Sequence, residues 1–227
     1  MCGLVRVPGE WAQIRIELKL DQPPLNLQQR WNVPPTEAVL AVRSVAGQRH
    51  AGLMRWGMIP HWAKDLRVGN TFNARAESVT TKPTFRAAWR EGRRCLMVID
   101  GFYEWRESDR QPYSVAMTDG RLMATAGLWQ DWTSPDGDVI ETVTMITTAA
   151  NATMATFHHR MPVILTADQW PAWLGETPAD EAALLAMLAP CAPDLIRARQ
   201  VSTRVGNVRN DDAGLVAPVA EVVERLI

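Results

Sequence analysis

The chain has 227 residues, 47% of them hydrophobic, enough to bury one large core or two small ones. Its 24 basic and 25 acidic side chains leave a net charge of -1, which excludes a protein that coats duplex DNA by charge alone. No apolar run approaches the roughly 20 residues of a spanning helix, and Arg6, Glu10, Arg15 and Glu17 break the N-terminal segment, so neither anchor nor signal peptide is expected and the expected compartment is the cytoplasm.

Strand-like runs are predicted at Ala38–Arg43, Leu53–Ile59, Cys95–Ile99, Tyr113–Met117, Met123–Leu128, Val143–Thr147 and Met161–Leu165. Turn signals at Asp100-Gly101, Asp119-Gly120 and Pro135-Asp136-Gly137 separate many of them. Helices are predicted at Pro83–Glu91, with Gly92 as the stop, at Asp168–Leu174, and at Thr177–Leu188, with Thr177 as N-cap and Pro178 in the first position. Phe72 to Thr81 shows no useful periodicity. With no repeat and no linker, the pattern predicts one α+β domain over residues 1–227, a mostly antiparallel sheet or barrel flanked by short helices.

The three cysteines, Cys2, Cys95 and Cys191, are an odd number at distant positions, which fits a reducing compartment. There is no CxxC pair, and His158-His159 lacks the HExxH spacing, so no metal and no cofactor are expected. Basic residues outnumber acidic ones between Arg43 and Arg106. They are mostly arginine, whose planar fork suits phosphate, although composition alone favours a solvated mixed-charge face.

Cys2 follows Met1 directly. Removing Met1 leaves a residue with both a thiol and an α-amine, about 10 to 15% of which is neutral at pH 7. Such a pair can trap an aldehyde as a Schiff base and close it to a thiazolidine, or the thiolate alone can attack an acyl group. Cys2 by itself does not choose between these. Glu104 lies between Tyr103 and Trp105 after a buried-looking strand, where desolvation would fit a carboxyl for acid/base work; the alternative is a solvated strand end. His158 or His159 can shuttle a proton or serve structure, and Asn73 can hold a substrate oxygen, hold the Cys2 backbone, or make a turn.

The ordered segments Met1-Cys2-Gly3, Trp56 to Asp65, Asn73 to Glu77, Asp100 to Trp105, Thr147 to Asn151 and His158 to Pro162 resemble the motifs of the SOS response-associated peptidase family, the SRAP domain. Arg30 to Thr36 and Val201 to Asn210 extend the resemblance over nearly the whole chain. Leu4 and His159 depart from it, standing where many members have arginine and aspartate. The resemblance implies an SRAP-like fold with a β-barrel-like core and a groove for single-stranded DNA. It implies covalent capture of abasic sites, removal of the protein's own leading methionine, and lyase activity. By motif, Cys2 is the nucleophile, Asn73 positions it or the opened sugar, Glu104 is the acid/base group, and His158 rather than His159 assists ring opening. Arg75 and Arg160 would hold phosphates. Trp62, Trp105 and Pro35 would stack against bases, with Asn32 and Thr147 also on the strand. A monomer is expected, associated with the nucleoid when bound to DNA. Two other readings stay open: a cysteine peptidase with an N-terminal nucleophile, and a non-catalytic reader of DNA or of a modified base.

Overall fold

Short runs of β-branched and apolar residues, broken by turn residues, produce a fold built mainly of strands; the computed structural model describes residues 2–66 and 71–219. The first elements are strand β1 (Leu4–Val7), helix α1 (Trp11–Leu18), and strands β2 (Arg30–Val33), β3 (Ala38–Val45), β4 (Gln48–Trp56) and β5 (Asn73–Arg75). Helix α2 (Arg86–Arg90) precedes β6 (Arg94–Ile99), β7 (Gly101–Trp105), β8 (Pro112–Met117), β9 (Met123–Thr133) and β10 (Val139–Ala149). Helix α3 (Ala152–Ala155), strand β11 (Arg160–Pro162), helices α4 (Trp170–Trp173) and α5 (Glu181–Ala186), and strand β12 (Ile196–Gln200) complete the set.

Strands β10, β4, β3, β6 and β9 pair in that order, and β9 pairs back to β10, closing a five-stranded barrel. Closure leaves these strands without the free edges of an open sheet. Strands β5 and β11 pair with β10 where it runs past the ring; β10 is parallel to β4 and β5 and antiparallel to β9 and β11. A second, fully antiparallel sheet runs β12-β8-β7-β1-β2. The α+β expectation holds.

Alternation along the strands divides the core in two. Leu40, Val42, Leu96 and Val98 pack with Ile14, Phe85, Trp89 and Trp173, while Val39, Ala41, Cys95 and Met97 pack with Val5, Val33, Phe102 and Val115 of the second sheet. Both faces of the barrel strands are therefore covered, so β3 and β6 read as continuous apolar runs.

Arg6, buried on β1, donates from Nη2 to the carbonyls of Asp100 (2.9 Å) and Val115 (3.3 Å). Its register partner is Gly101, at φ 156°, where an added Cβ would lie 1.9 Å from that nitrogen and 2.2 Å from the Val115 oxygen. Only glycine admits the guanidinium there, and the contact locks β1 against β7.

Several boundaries differ from expectation. The last α-helix starts at Asp180, not Thr177, because the Asp180 carboxylate accepts the Ala183 N–H at 2.7 Å, which places Pro178 outside it. Residues 83–85 form turns ahead of α2, whose N-cap Phe85 has no side chain able to cap. Strand β4 ends at Trp56 because Gly57, at φ 126°, leaves the β region. The segment 161–165 is β11 followed by one isolated bridge, Thr125 to Ile164. No helix among the described residues is long and apolar enough to cross a membrane.

Candidate active site around Cys2

β1 is a central strand, flanked by β2 and β7, and Leu4 faces Tyr103 across the ladder. Continued two residues toward the N-terminus, that antiparallel register brings Cys2 to the Glu104–Trp105 end of β7. Cys2 is 1% exposed. Asn73, the first residue of β5, donates from Nδ2 to the Cys2 carbonyl at 2.7 Å; of its expected roles, holding the Cys2 backbone is the one present. The parallel pairing of β5 with β10, Met145 opposite Asn73, places that amide. Its Oδ1 is buried and has no partner among the described residues, so it offers an acceptor beside Cys2.

His158 reaches the same place from the other side. Asn151 caps α3, its Oδ1 accepting the Met154 N–H at 3.0 Å, and the His158 N–H closes the turn on the Met154 carbonyl at 2.8 Å. The His158 Nε2 then lies 3.5 Å from Glu104 Oε2, both side chains buried. Its Nδ1 is 2.9 Å from the Arg160 carbonyl and 3.1 Å from the Arg160 N–H, so the main chain of β11 can hold either neutral tautomer.

Burial sets the ionisation of all three groups. It pushes the Glu104 carboxyl up to about 7, so near neutral pH this residue can give or take a proton. Burial also holds His158 below its ordinary 6.5, which keeps the imidazole neutral at pH 7. It pushes the Cys2 thiol well above 9, the nearby Glu104 charge adding to the rise, so the sulfur rests as a thiol. The site therefore combines an un-ionised thiol, a neutral imidazole and a carboxyl poised between its two forms.

The adjacent histidines separate. His159 is exposed, pairs through Nδ1 with Glu107 Oε1, and stacks on the His158 ring with centroids 4.8 Å apart. Glu107 and both histidines bring three donor atoms within 4.8 Å of one another. Both His158 nitrogens already face protein groups, so a metal would have to displace them. The sequence offered no signal for the Glu107–His159 pair, which is made across 52 residues.

The expected DNA contacts divide into exposed and buried sets. Arg75 is exposed, Trp62 is 57% exposed, and Trp105 is half-buried against the small cluster of Leu4, Tyr103, Val201, Val205 and Leu215. Trp31, absent from the expected contacts, is also half-buried against that cluster. Pro35 is half-buried before Thr36, whose φ of 80° is rare for a β-branched residue and whose N–H is held by the Trp56 carbonyl at 2.7 Å. Asn32 requires correction. It is 0% exposed, and its Nδ2 lies 3.0 to 3.3 Å from the carbonyls of Val205, Asn207 and Asn210, so it ties β2 to the C-terminal turns and presents nothing to a strand. Thr147 is likewise fully buried, its carbonyl and hydroxyl turned to Arg160. Arg160 is itself buried and forked onto Glu77.

Known proteins share both sequence and fold. A protein of Bacillus subtilis named abasic site processing protein YoqW is 35% identical over 222 residues, covering 95% of this chain and 99% of that one. The abasic site processing protein HMCES of Pongo abelii is 32% identical over 216 residues, covering 79% of this chain and 60% of that one. A crystal structure of a Bacteroides thetaiotaomicron protein superposes with a TM-score of 0.85 at 22% identity, covering 96% of this chain and 100% of that one, which shows the shared fold. The model of the family described as SOS response associated peptidase (SRAP) matches residues 1–208, and the chain belongs to that family.

Proposed function

We propose that this protein captures abasic sites in single-stranded DNA covalently, through Cys2 freed of Met1, as a thiazolidine crosslink. The observation that carries the reading is the grouping at Cys2: its carbonyl is gripped by Asn73, and the buried Glu104–His158 pair stands beside it. Two relatives bearing the name abasic site processing protein support the substrate.

An abasic deoxyribose is a cyclic hemiacetal. Ring opening removes the proton of the C1′ hydroxyl, breaks the C1′–O4′ bond and returns a proton to O4′; neutral His158 is suited to the first transfer and protonated Glu104 to the second. The Cys2 α-amine adds to the resulting aldehyde and water leaves, giving an imine. The thiol then adds to the same carbon, its proton passing to the imine nitrogen, and the five-membered ring closes. The sum is aldehyde plus amino-thiol giving thiazolidine plus one water. A thiol held un-ionised by burial suits this order, in which the amine acts first. Arg75 would hold a flanking phosphate and Trp62 a base face.

The test is a denaturing gel of the protein with single-stranded DNA carrying one abasic site, beside intact-mass analysis. The expected result is a stable adduct from protein that begins at Cys2 and none from Cys2→Ala. A full yield of stable adduct from protein that retains Met1 would overturn the amine-first mechanism.

A further inference from the structure

Arg160 is not open to a phosphate in this conformation. Its side chain is 10% exposed; Nη1 donates to Glu77 Oε1, and Nη2 donates to Glu77 Oε2 at 3.1 Å and to the Thr147 carbonyl at 2.7 Å. The remaining donor, Nε, is buried with no acceptor among the described residues. Glu77 covers the outer side of this fork. Its side chain is 57% exposed and sits on a single 3-10 turn, Ala76–Ser78, immediately after exposed Arg75 on β5.

The two partners are therefore unequal. Arg160 is fixed from behind by Thr147, and its main chain holds the His158 ring, whereas Glu77 can leave by rotating its own side chain into solvent. A carboxylate on a guanidinium fork presents two oxygens in the plane of the donors, as the two non-bridging oxygens of a phosphodiester do. We infer that Glu77 fills a phosphate seat on Arg160 and is displaced by the backbone of the captured strand, so that Glu77 sets the affinity for single-stranded DNA. This rests on the single-strand reading above. Exchanging one anion for another leaves the number of charge-assisted hydrogen bonds nearly unchanged. The seat thus adds little to binding of a strand held nowhere else, and closes on a phosphate already brought near by Arg75 and the sugar.

The experiment measures binding of an undamaged single-stranded oligonucleotide by fluorescence anisotropy across a salt series, for wild type, Glu77→Gln, Glu77→Ala, Arg160→Gln and the Glu77→Ala/Arg160→Gln double variant. Glu77→Ala is expected to bind about three- to tenfold more tightly, with a salt slope steeper by about 0.7 because one more phosphate is neutralised. Glu77→Gln, which keeps the packing, should move in the same direction. In the Arg160→Gln background, Glu77→Ala should leave the slope where it is. Equal or weaker binding by both Glu77 variants, with melting temperatures at the wild-type value, would overturn the inference. So would a steepening that persists without Arg160, which would assign the effect to charge in general. Failure of wild type to form the abasic adduct on a gel would instead sink the functional reading, and is measured separately.

Discussion

Glu104 should weaken the folded protein while serving the reaction, and Glu104→Gln separates the two effects. The carboxyl is 3% exposed and titrates near 7 when folded, against an ordinary 4.5. The folded state therefore binds the proton more tightly than the unfolded chain. Stability falls as pH rises from 4.5 through 7, and the full cost is present above the folded value. At pH 8 that cost is about 3 kcal/mol, shrinking to under about 1 kcal/mol at pH 5. Glutamine has the same shape and carries no charge at either pH, so Glu104→Gln should be more stable than wild type by about those amounts. Urea titrations at the two pH values, with unchanged m-values, measure this directly. In single-turnover crosslinking with saturating abasic strand, the same variant should be slower by about a hundredfold or more, some 2.7 kcal/mol of barrier, because it cannot exchange a proton. A variant no more stable than wild type at pH 8, or stabilised equally at both pH values, would refute the buried-carboxyl argument. An unchanged rate would refute its role in the reaction.

The two histidines should behave differently: His158→Ala slows crosslinking and removes the limb of the pH profile below 6.5, where burial holds its imidazole, while His159→Ala stays within about threefold, or some 0.65 kcal/mol, when single-turnover rates are compared from pH 5 to 8. Asn32 and Arg75 should divide stability from binding. Asn32→Ala, which strips a donor from three buried or half-buried carbonyls, should cost about 2 kcal/mol in urea unfolding and leave the salt slope of DNA binding unchanged. Arg75→Gln should do the reverse, flattening the slope by about 0.7 with stability within about 0.5 kcal/mol of wild type.

The candidate site was legible because each member lies in its own ordered motif, and the structure brings Asn73 onto the Cys2 carbonyl and His158 onto Glu104. Residue type alone could not sort the polar groups by burial. Asn32, Thr147 and Arg160 look like strand-binding residues in the sequence, yet their partners are carbonyls and a carboxylate up to 178 positions away. Among the elements, β3 and β6 were visible as long apolar runs. β1 was not, since all four of its residues, including Arg6, are buried, leaving no alternation to read. Nor was α1, which buries Ile14 and Leu18 but leaves Ile16 77% exposed, a face too narrow to show a helical period. β5 has three residues and exists only through its pairing with β10. The helix expected to start at Thr177 had two good caps on offer, and local sequence does not rank Thr177 above Asp180.

The central position of β1 also imposes an order on biosynthesis. Cys2 is made well before its partners: the strand behind it gains β7 only after Trp105 has left the ribosome, and the Glu104–His158 pair exists only after His158 has followed. At about 5–20 residues per second, His158 trails Cys2 by roughly 8 to 30 s. Throughout that interval the nascent chain carries an ordinary, unassisted cysteine on a loose end. It gains neither the buried Glu104–His158 pair nor the grip of Asn73 on its carbonyl until β10 and His158 have emerged, so any chemistry that needs the whole grouping waits for the barrel to be made.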